Sequence, residues 1–112
     1  MDFHSDKPIY LQIADALCES ILSGTLKAGD RIPSVREYGG QIGVNPNTVM
    51  RTYEKLTDEG IIYNKRGIGY FAADDAREKI LEAQKADFLA KEVPAIRRKM
   101  ELLGLDASIF KN

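Results

Sequence analysis

The residue types that build most metal and disulfide sites are scarce in this chain of 112 residues. It contains one cysteine, Cys18, one histidine, His4, and no tryptophan. A single cysteine excludes an intramolecular disulfide framework. One cysteine and one histidine are also too few ligands for a zinc site of usual spacing. Paired carboxylates, a Cys/His pair and a phosphate-cradling loop are also missing. We therefore expect a protein that is not an enzyme and needs neither a metal nor another cofactor.

Long apolar runs are missing as well. No stretch approaches the roughly 18 consecutive apolar residues of a membrane-spanning helix. The first residues lack the charged leader and apolar core of a signal peptide. Hydrophobic residues make up 44% and charged residues 29% of the chain, which is typical of globular proteins. We expect a cytoplasmic protein with no membrane partner.

Positive charge is limited, which bears on nucleic acids as partners. The formal net charge is −1, whereas proteins that bind nucleic acids are usually basic. The charges are unevenly distributed: residues 31–73 carry six Lys/Arg and four Asp/Glu, residues 1–30 carry two and five, and residues 74–112 carry eight of each. Only the middle segment is positive, and its small surplus predicts modest nonspecific affinity for DNA.

Hydrophobic spacing and capping residues predict two helices in the first 41 residues. Apolar residues that recur about every four positions predict a first helix over 8–23. After a loop, residues 31–32 can form a short edge strand. Ser34 and Glu37 have the spacing of a capping box, which predicts the start of a second helix over 34–41.

A third helix and a hairpin follow. The tight turn at 43–45 contains a glycine, and Asn45 can cap a helix over 46–59. Two short helices joined by such a turn are the signature of a helix–turn–helix. The β-prone runs 61–63 and 70–72 flank a glycine-rich turn and predict a hairpin. A hairpin after a helix–turn–helix is a wing.

The third helix is predicted to have a core face and a DNA face. On a helical wheel Val49, Tyr53 and Leu56 share one side, which we expect to pack on the core. The other side is polar and cationic and lies near the helix N-terminus, the part of a recognition helix that reaches bases. Asn pairs with adenine and Arg with guanine in the major groove. The predicted DNA-contact residues here are Asn45, Asn47, Thr48 and Arg51.

A basic turn lies at the tip of the predicted wing. Lys65 and Arg66 precede Gly67, which permits a close backbone approach to a ligand. An arginine on such a turn suits a narrow minor groove or a flanking phosphate. Arg36, early in the second helix, is a further candidate contact. Each of these candidate contact residues, taken alone, could be a helix cap or a solvated side chain. The prediction of DNA binding depends on the order of the helices, the turn and the basic hairpin.

Residues 74–112 are predicted to form a fourth helix to about residue 92 and a fifth helix that starts at Pro94. A single apolar stripe on such helices needs a partner surface. A second copy of the chain is the simplest partner, although both helices could instead fold back on the same chain. We therefore divide the chain into a DNA-binding domain, 1–73, and a dimerisation segment, 74–112. The predicted dimerisation residues are Leu81, Phe88, Leu89, Ile96 and Met100.

Together these elements predict an α+β fold, mostly helical: a winged helix–turn–helix domain followed by a short two-helix C-terminal segment. Residues 8–73, about two-thirds of the chain, resemble the GntR family of bacterial regulators. The motifs that carry the resemblance are GDRIPS at 29–34, RE at 36–37, GVN at 43–45, TV at 48–49, EG at 59–60 and GIG at 67–69. The run VNPNTV at 44–49, followed by Arg51, is most similar to the YtrA-type branch, whose members have a short two-helix C-terminal segment.

The resemblance implies a homodimeric repressor that binds a palindromic operator in double-stranded DNA. It implies DNA contacts at Arg36, Asn45, Asn47, Thr48, Arg51, Arg66 and Gly67. The chain departs from the family at Met50, where many relatives have arginine, and at residues 38–40, which usually read alanine or leucine. The alternative is a winged-helix protein-interaction module that does not bind DNA. The sequence identifies neither the operator nor an effector.

Overall fold

The computed structural model describes residues 6–111, so His4 lies outside the described residues. Within that range the chain is mostly helical with one small antiparallel sheet, which confirms the predicted fold class. It forms a compact unit that extends to Ile80 and a second that begins at Leu81. The elements are α1 (Ile9–Leu22), β1 (Arg31–Ile32), α2 (Val35–Ile42), α3 (Pro46–Asp58), β2 (Ile62–Lys65), β3 (Gly69–Ala72), α4 (Ala76–Asp87), a π-helical turn (Phe88–Glu92), α5 (Val93–Leu103) and a 3-10 turn (Ala107–Phe110).

The core of the first unit lies between α1, α3 and the sheet. The predicted core face of α3 is confirmed, because Val49, Tyr53 and Leu56 are each at most 1% exposed. The hydroxyl of Tyr53 donates a 2.7 Å hydrogen bond to the carbonyl of Pro33, which ties the start of α2 to α3. Burial raises the pKa of Tyr53, so this hydroxyl stays a donor across the physiological range. The packing fixes which side of α3 faces outward.

Capping residues set the ends of the two helices of the helix–turn–helix. Ser34 caps α2 and forms the predicted capping box with Glu37. At the other end Gly43 has a φ of 71°, a left-handed conformation that favours glycine. Asn45 caps α3 through a hydrogen bond that its side-chain oxygen accepts from the amide of Asn47. The local sequence therefore fixes the turn that orients α3.

The pair of glycines in α2 has two different environments. A Cβ added at Gly39 would lie 2.7 Å from the carbonyl oxygen of Val44, whereas one added at Gly40 would meet nothing within 4 Å. Gly39 is also buried, and Gly40 is exposed. The helix–turn–helix turn therefore requires the absence of a side chain at Gly39, and no packing contact explains Gly40.

The three strands form an antiparallel sheet in the order β1-β3-β2. The edge strand predicted at 31–32 is present and pairs with β3. Strand β2 extends farther than the predicted 61–63, because Lys65 still pairs with Gly69. Lys65 is therefore the last residue of a strand, and the wing turn consists of residues 66–68.

The two predicted C-terminal helices are present, and the chain stays helical between them. Asp87, Glu92 and Val93 all have right-handed helical dihedrals, and the π-helical turn joins α4 to α5. Pro94 has no amide hydrogen and its ring crowds the preceding turn, and a π-helical turn is one way a helix accommodates a changed hydrogen-bond register. The first compact unit also extends past the predicted boundary at residue 73, because Ala76 and Ile80 are buried in its core.

Candidate DNA interface

The N-terminal half of α3 presents four of the predicted contact residues. Asn45, Asn47 and Arg51 are exposed, and Thr48 is half-buried. The side-chain oxygen of Asn45 is engaged in the cap, at 2.8 Å from the amide of Asn47, so its amide nitrogen is left to donate to a ligand. The remaining side chains offer the donors and acceptors that base edges and phosphates require.

Arg36 lies beside this part of α3. It lines a surface groove of about 830 Å³ between α2 and α3, together with Asn45, Asn47 and Met50. The structure therefore brings Arg36 together with residues that lie nine to fourteen positions later in the sequence. Met50 is 38% exposed, and its sulfur lies 4.0 Å from the Tyr70 hydroxyl.

Arg51 lies on the other flank of α3, against α1. Its guanidinium carbon is 3.9 Å from the centroid of the Tyr10 ring, a cation–π distance. Asn47, Thr48 and Arg51 line a shallow depression with the start of α1, including Tyr10. The sequence does not reveal this contact, because no signal within α1 shows which residue of α3 Tyr10 meets.

The wing carries its cations on a separate element. Arg66 and Gly67 are exposed on the turn, and Gly67 has a φ of 80°, a conformation that disfavours any residue with a side chain. Lys65 lies 5.0 Å above the ring of Phe71. The guanidinium of Arg31 lies close to the backbone of Gly69 at the start of β3, because a Cβ added at Gly69 would be 3.1 Å from its Nε atom.

Charge on the outer side of α3 is lower than its sequence indicates. Lys55 forms an ion pair with Glu59 at 2.7 Å, and Glu54 is exposed. The C-terminal half of α3 therefore offers no unpaired cation and carries the exposed acids Glu54 and Asp58, whereas Arg51 lies in the N-terminal half. Within residues 6–111 no cluster of three His, Cys, Asp or Glu is placed to hold a metal, and no helix is long and apolar enough to cross a membrane.

The second unit exposes an apolar surface. Of the predicted dimerisation residues, Phe88, Leu89 and Ile96 are between 45% and 64% exposed, and Leu81 and Met100 are partly buried. Phe88, Ile96 and Met100 line a groove of about 430 Å³, whereas Leu81 and Leu89 lie outside it. Sequence reasoning missed several exposed apolar side chains at the C-terminal end. These are Leu102, Leu103, Leu105, Ile109 and Phe110.

Known proteins are similar to this chain in sequence and in fold. A family model for bacterial regulatory proteins of the gntR family matches residues 9–71. The HTH-type transcriptional repressor YtrA of Bacillus subtilis is 42% identical over 107 residues, which cover 96% of this chain and 76% of that protein.

Solved structures agree. A GntR-family transcriptional regulator from Bacteroides thetaiotaomicron is 46% identical with a TM-score of 0.82, over 93% of this chain and 90% of that one. The AraR(DBD) chain in complex with operator ORR3 is 26% identical with a TM-score of 0.59, over 65% of this chain and 88% of that one. The chain therefore belongs to the GntR family of bacterial regulatory proteins, in its YtrA-type branch, and is a winged helix–turn–helix transcription regulator.

Proposed function

We propose that this regulator is a homodimeric repressor that binds a palindromic operator and blocks transcription of the genes it controls. It acts in the cytoplasm, where the bacterial chromosome lies. The observation that carries the proposal is the exposed N-terminal half of α3, whose opposite face is fixed in the core by Val49, Tyr53 and Leu56. A rigid helix with a polar, uncovered edge is what insertion into a major groove requires.

The proposed contacts divide into base-reading and backbone-binding groups. Asn47 and Arg51 read base edges, since amide and guanidinium groups make bidentate contacts to adenine and guanine. Asn45, Thr48 and Arg36 contact phosphates or adjacent bases, helped by the positive end of the α3 dipole. Arg66 and the backbone at Gly67 bind a flanking minor groove or phosphate. The AraR(DBD) chain, which is similar in fold, forms a complex with an operator, and this supports DNA binding as the function of the fold.

The dimer is proposed to form through the second unit. Leu102, Leu103 and Phe110 are each more than 60% exposed, and Phe110 lines an apolar groove with Phe88 and Ile96. Large exposed apolar patches usually mark an interaction site. A two-fold dimer would cover the same patch on both copies and would match two operator half-sites.

DNA binding is tested with duplexes selected from a random-sequence library by the wild-type protein. We expect recovered sites to be palindromic. Arg51→Ala should weaken binding to the recovered duplex by about 5- to 150-fold and relax the preference at one base pair in each half-site. The control Lys55→Ala removes a cation from the same helix, but this cation is paired with Glu59. It should therefore change affinity for the duplex by less than about threefold.

Two results would overturn the DNA-binding proposal. One is equal affinity of the wild type and R51A for the recovered duplex. The other is failure to recover any duplex together with no retention on heparin or random duplex at low salt, which would favour the protein-interaction alternative.

The dimer is tested by sedimentation. The wild type should sediment as a dimer at tens of micromolar, and Ile96→Glu should sediment as a monomer, because the acid would enter the apolar groove. Lys99→Glu places the same acid at an exposed polar position of α5 and should remain dimeric. A wild-type monomer at this concentration, or a dimeric I96E, contradicts the proposed interface.

A further inference from the structure

The contact between the start of α1 and the outer side of α3 has two parts. The ring of Tyr10 lies under the guanidinium of Arg51, at 3.9 Å from the guanidinium carbon to the ring centroid. The backbone of the same residue is held by Thr52, whose hydroxyl donates a 2.7 Å hydrogen bond to the Tyr10 carbonyl oxygen. Thr52 is fully buried, so this bond is shielded from competition by water. Tyr10 is therefore fixed to α3 through its backbone, and its half-buried ring is left facing Arg51.

The Tyr10 ring is the side-chain contact that the structure shows for the Arg51 guanidinium within residues 6–111. Among residues 6–111 Arg51 forms no ion pair, and the acidic residue one turn along, Glu54, is not bonded to it. A free arginine samples many rotamers and loses that freedom when it binds DNA. Stacking on an aromatic face leaves the edge of the guanidinium, with its donors, open for a bidentate contact. The ring thus restricts the rotamers of Arg51 without consuming its donors.

We propose that Tyr10 is a positioning residue for DNA readout: its ring holds the Arg51 guanidinium, before DNA arrives, in the orientation in which it contacts a base. The inference rests on the proposed function, in which Arg51 reads a base. It adds that a residue of α1, outside the helix–turn–helix, contributes to specificity without touching a base.

The test is a double-mutant cycle on the duplex recovered from the random library. Tyr10→Leu keeps an apolar side chain but removes the aromatic face, whereas Tyr10→Phe keeps the face. We expect Y10L to weaken binding by about 2- to 5-fold, the range of an exposed cation–π contact, and Y10F to bind within about twofold of the wild type. In the R51A background Y10L should have no further effect. Any loss of folding in Y10L affects both arms of the cycle alike and cancels.

A spectroscopic readout separates positioning from a general structural role. In the free wild-type protein and in Y10F, the ring current should shift the side-chain proton resonances of Arg51 away from random-coil values, and the shift should disappear in Y10L. The inference is overturned if R51A weakens binding but Y10L does not, or if Y10L weakens R51A as much as it weakens the wild type. It is also overturned if the Arg51 resonances are unshifted in the wild type. If R51A itself binds as well as the wild type, the proposed function fails first.

Discussion

Alanine substitutions at the adjacent glycines of α2 should have different effects on stability. Gly40 is exposed and an added Cβ would meet nothing within 4 Å. Gly40→Ala should therefore raise the free energy of unfolding by about 1 kcal/mol, the difference in helix propensity between glycine and alanine. Gly39→Ala gains the same propensity, but its Cβ would lie 2.7 Å from the carbonyl oxygen of Val44.

The cost at Gly39 follows from what the methyl group meets. The contacted atom is backbone, and it is fixed at the turn because the Val44 amide donates a 2.9 Å hydrogen bond to the Gly39 carbonyl. Neither partner can rotate away as a flexible side chain would. Forcing a methyl group into a packed site typically costs about 1–3 kcal/mol. Since the propensity gain is common to both variants, their difference isolates this cost, and G39A should be about 1–3 kcal/mol less stable than G40A.

The measurement is urea unfolding of the wild type and both variants, followed by circular dichroism at equal protein concentration. Thermal midpoints should separate in the same order, by about 4–8 °C for each kcal/mol in a domain of this size. Equal concentration is needed because a dimer couples stability to concentration. If G39A is as stable as G40A, α2 and the turn do not approach as closely as described, and the steric explanation for Gly39 is wrong.

Three further substitutions or conditions have defined outcomes. Thr52→Val should lower the free energy of unfolding by about 1 kcal/mol, because it removes a buried hydrogen bond between α1 and α3. The control Thr57→Val changes an exposed residue whose hydroxyl bonds within α3 and should change that free energy by less than about 0.5 kcal/mol. Equal losses in the two variants would contradict the contribution of the Thr52 hydrogen bond. Burial raises the pKa of the Cys18 thiol to about 11 from an ordinary value near 9, so iodoacetamide should label folded protein slowly at neutral pH. The unfolded chain ionises first, so this thiol's contribution to stability is present below about pH 9 and lost toward pH 11; fast labelling without denaturant would refute its burial. Arg66→Ala should weaken binding to all duplexes alike and reduce the slope of log affinity against log salt by about 1, and the exposed Lys85→Ala should not.

The parts of the fold that local chemistry determines were predictable from the sequence. Ser34 and Glu37 cap α2, Gly43 ends it, and Asn45 caps α3, all within a few residues of the groups they bond. The buried face of α3 was equally predictable, because the 3.6-residue repeat of a helix places Val49, Tyr53 and Leu56 on the same side. Local signals of this kind fix the helix–turn–helix and its outward face.

Features that depend on distant residues were not predictable in this way. Gly39 is required by the path of the chain five residues later, and Tyr10 faces Arg51 only because α1 and α3 pack together. The sequence around Pro94 shows that a normal helix is interrupted, but it does not distinguish a break from a π-helical turn. The spacing of Lys55 and Glu59 allows an ion pair on a helix, but the sequence alone does not show that the pair forms.

The limited positive charge of this regulator constrains how it can bind DNA. Each copy offers Arg36, Arg51 and Arg66 as proposed contacts, and each phosphate neutralised adds a slope of only about 0.9 to the salt dependence. A single copy should therefore hold a half-site weakly at physiological salt. Joining two copies makes the second contact intramolecular, which can raise affinity by about 10²- to 10⁴-fold without any new contact. Under the proposed mechanism the apolar surface of the second unit contributes to operator affinity by joining the two copies. An acidic chain can then discriminate its operator from bulk DNA, because weak half-sites keep nonspecific binding low.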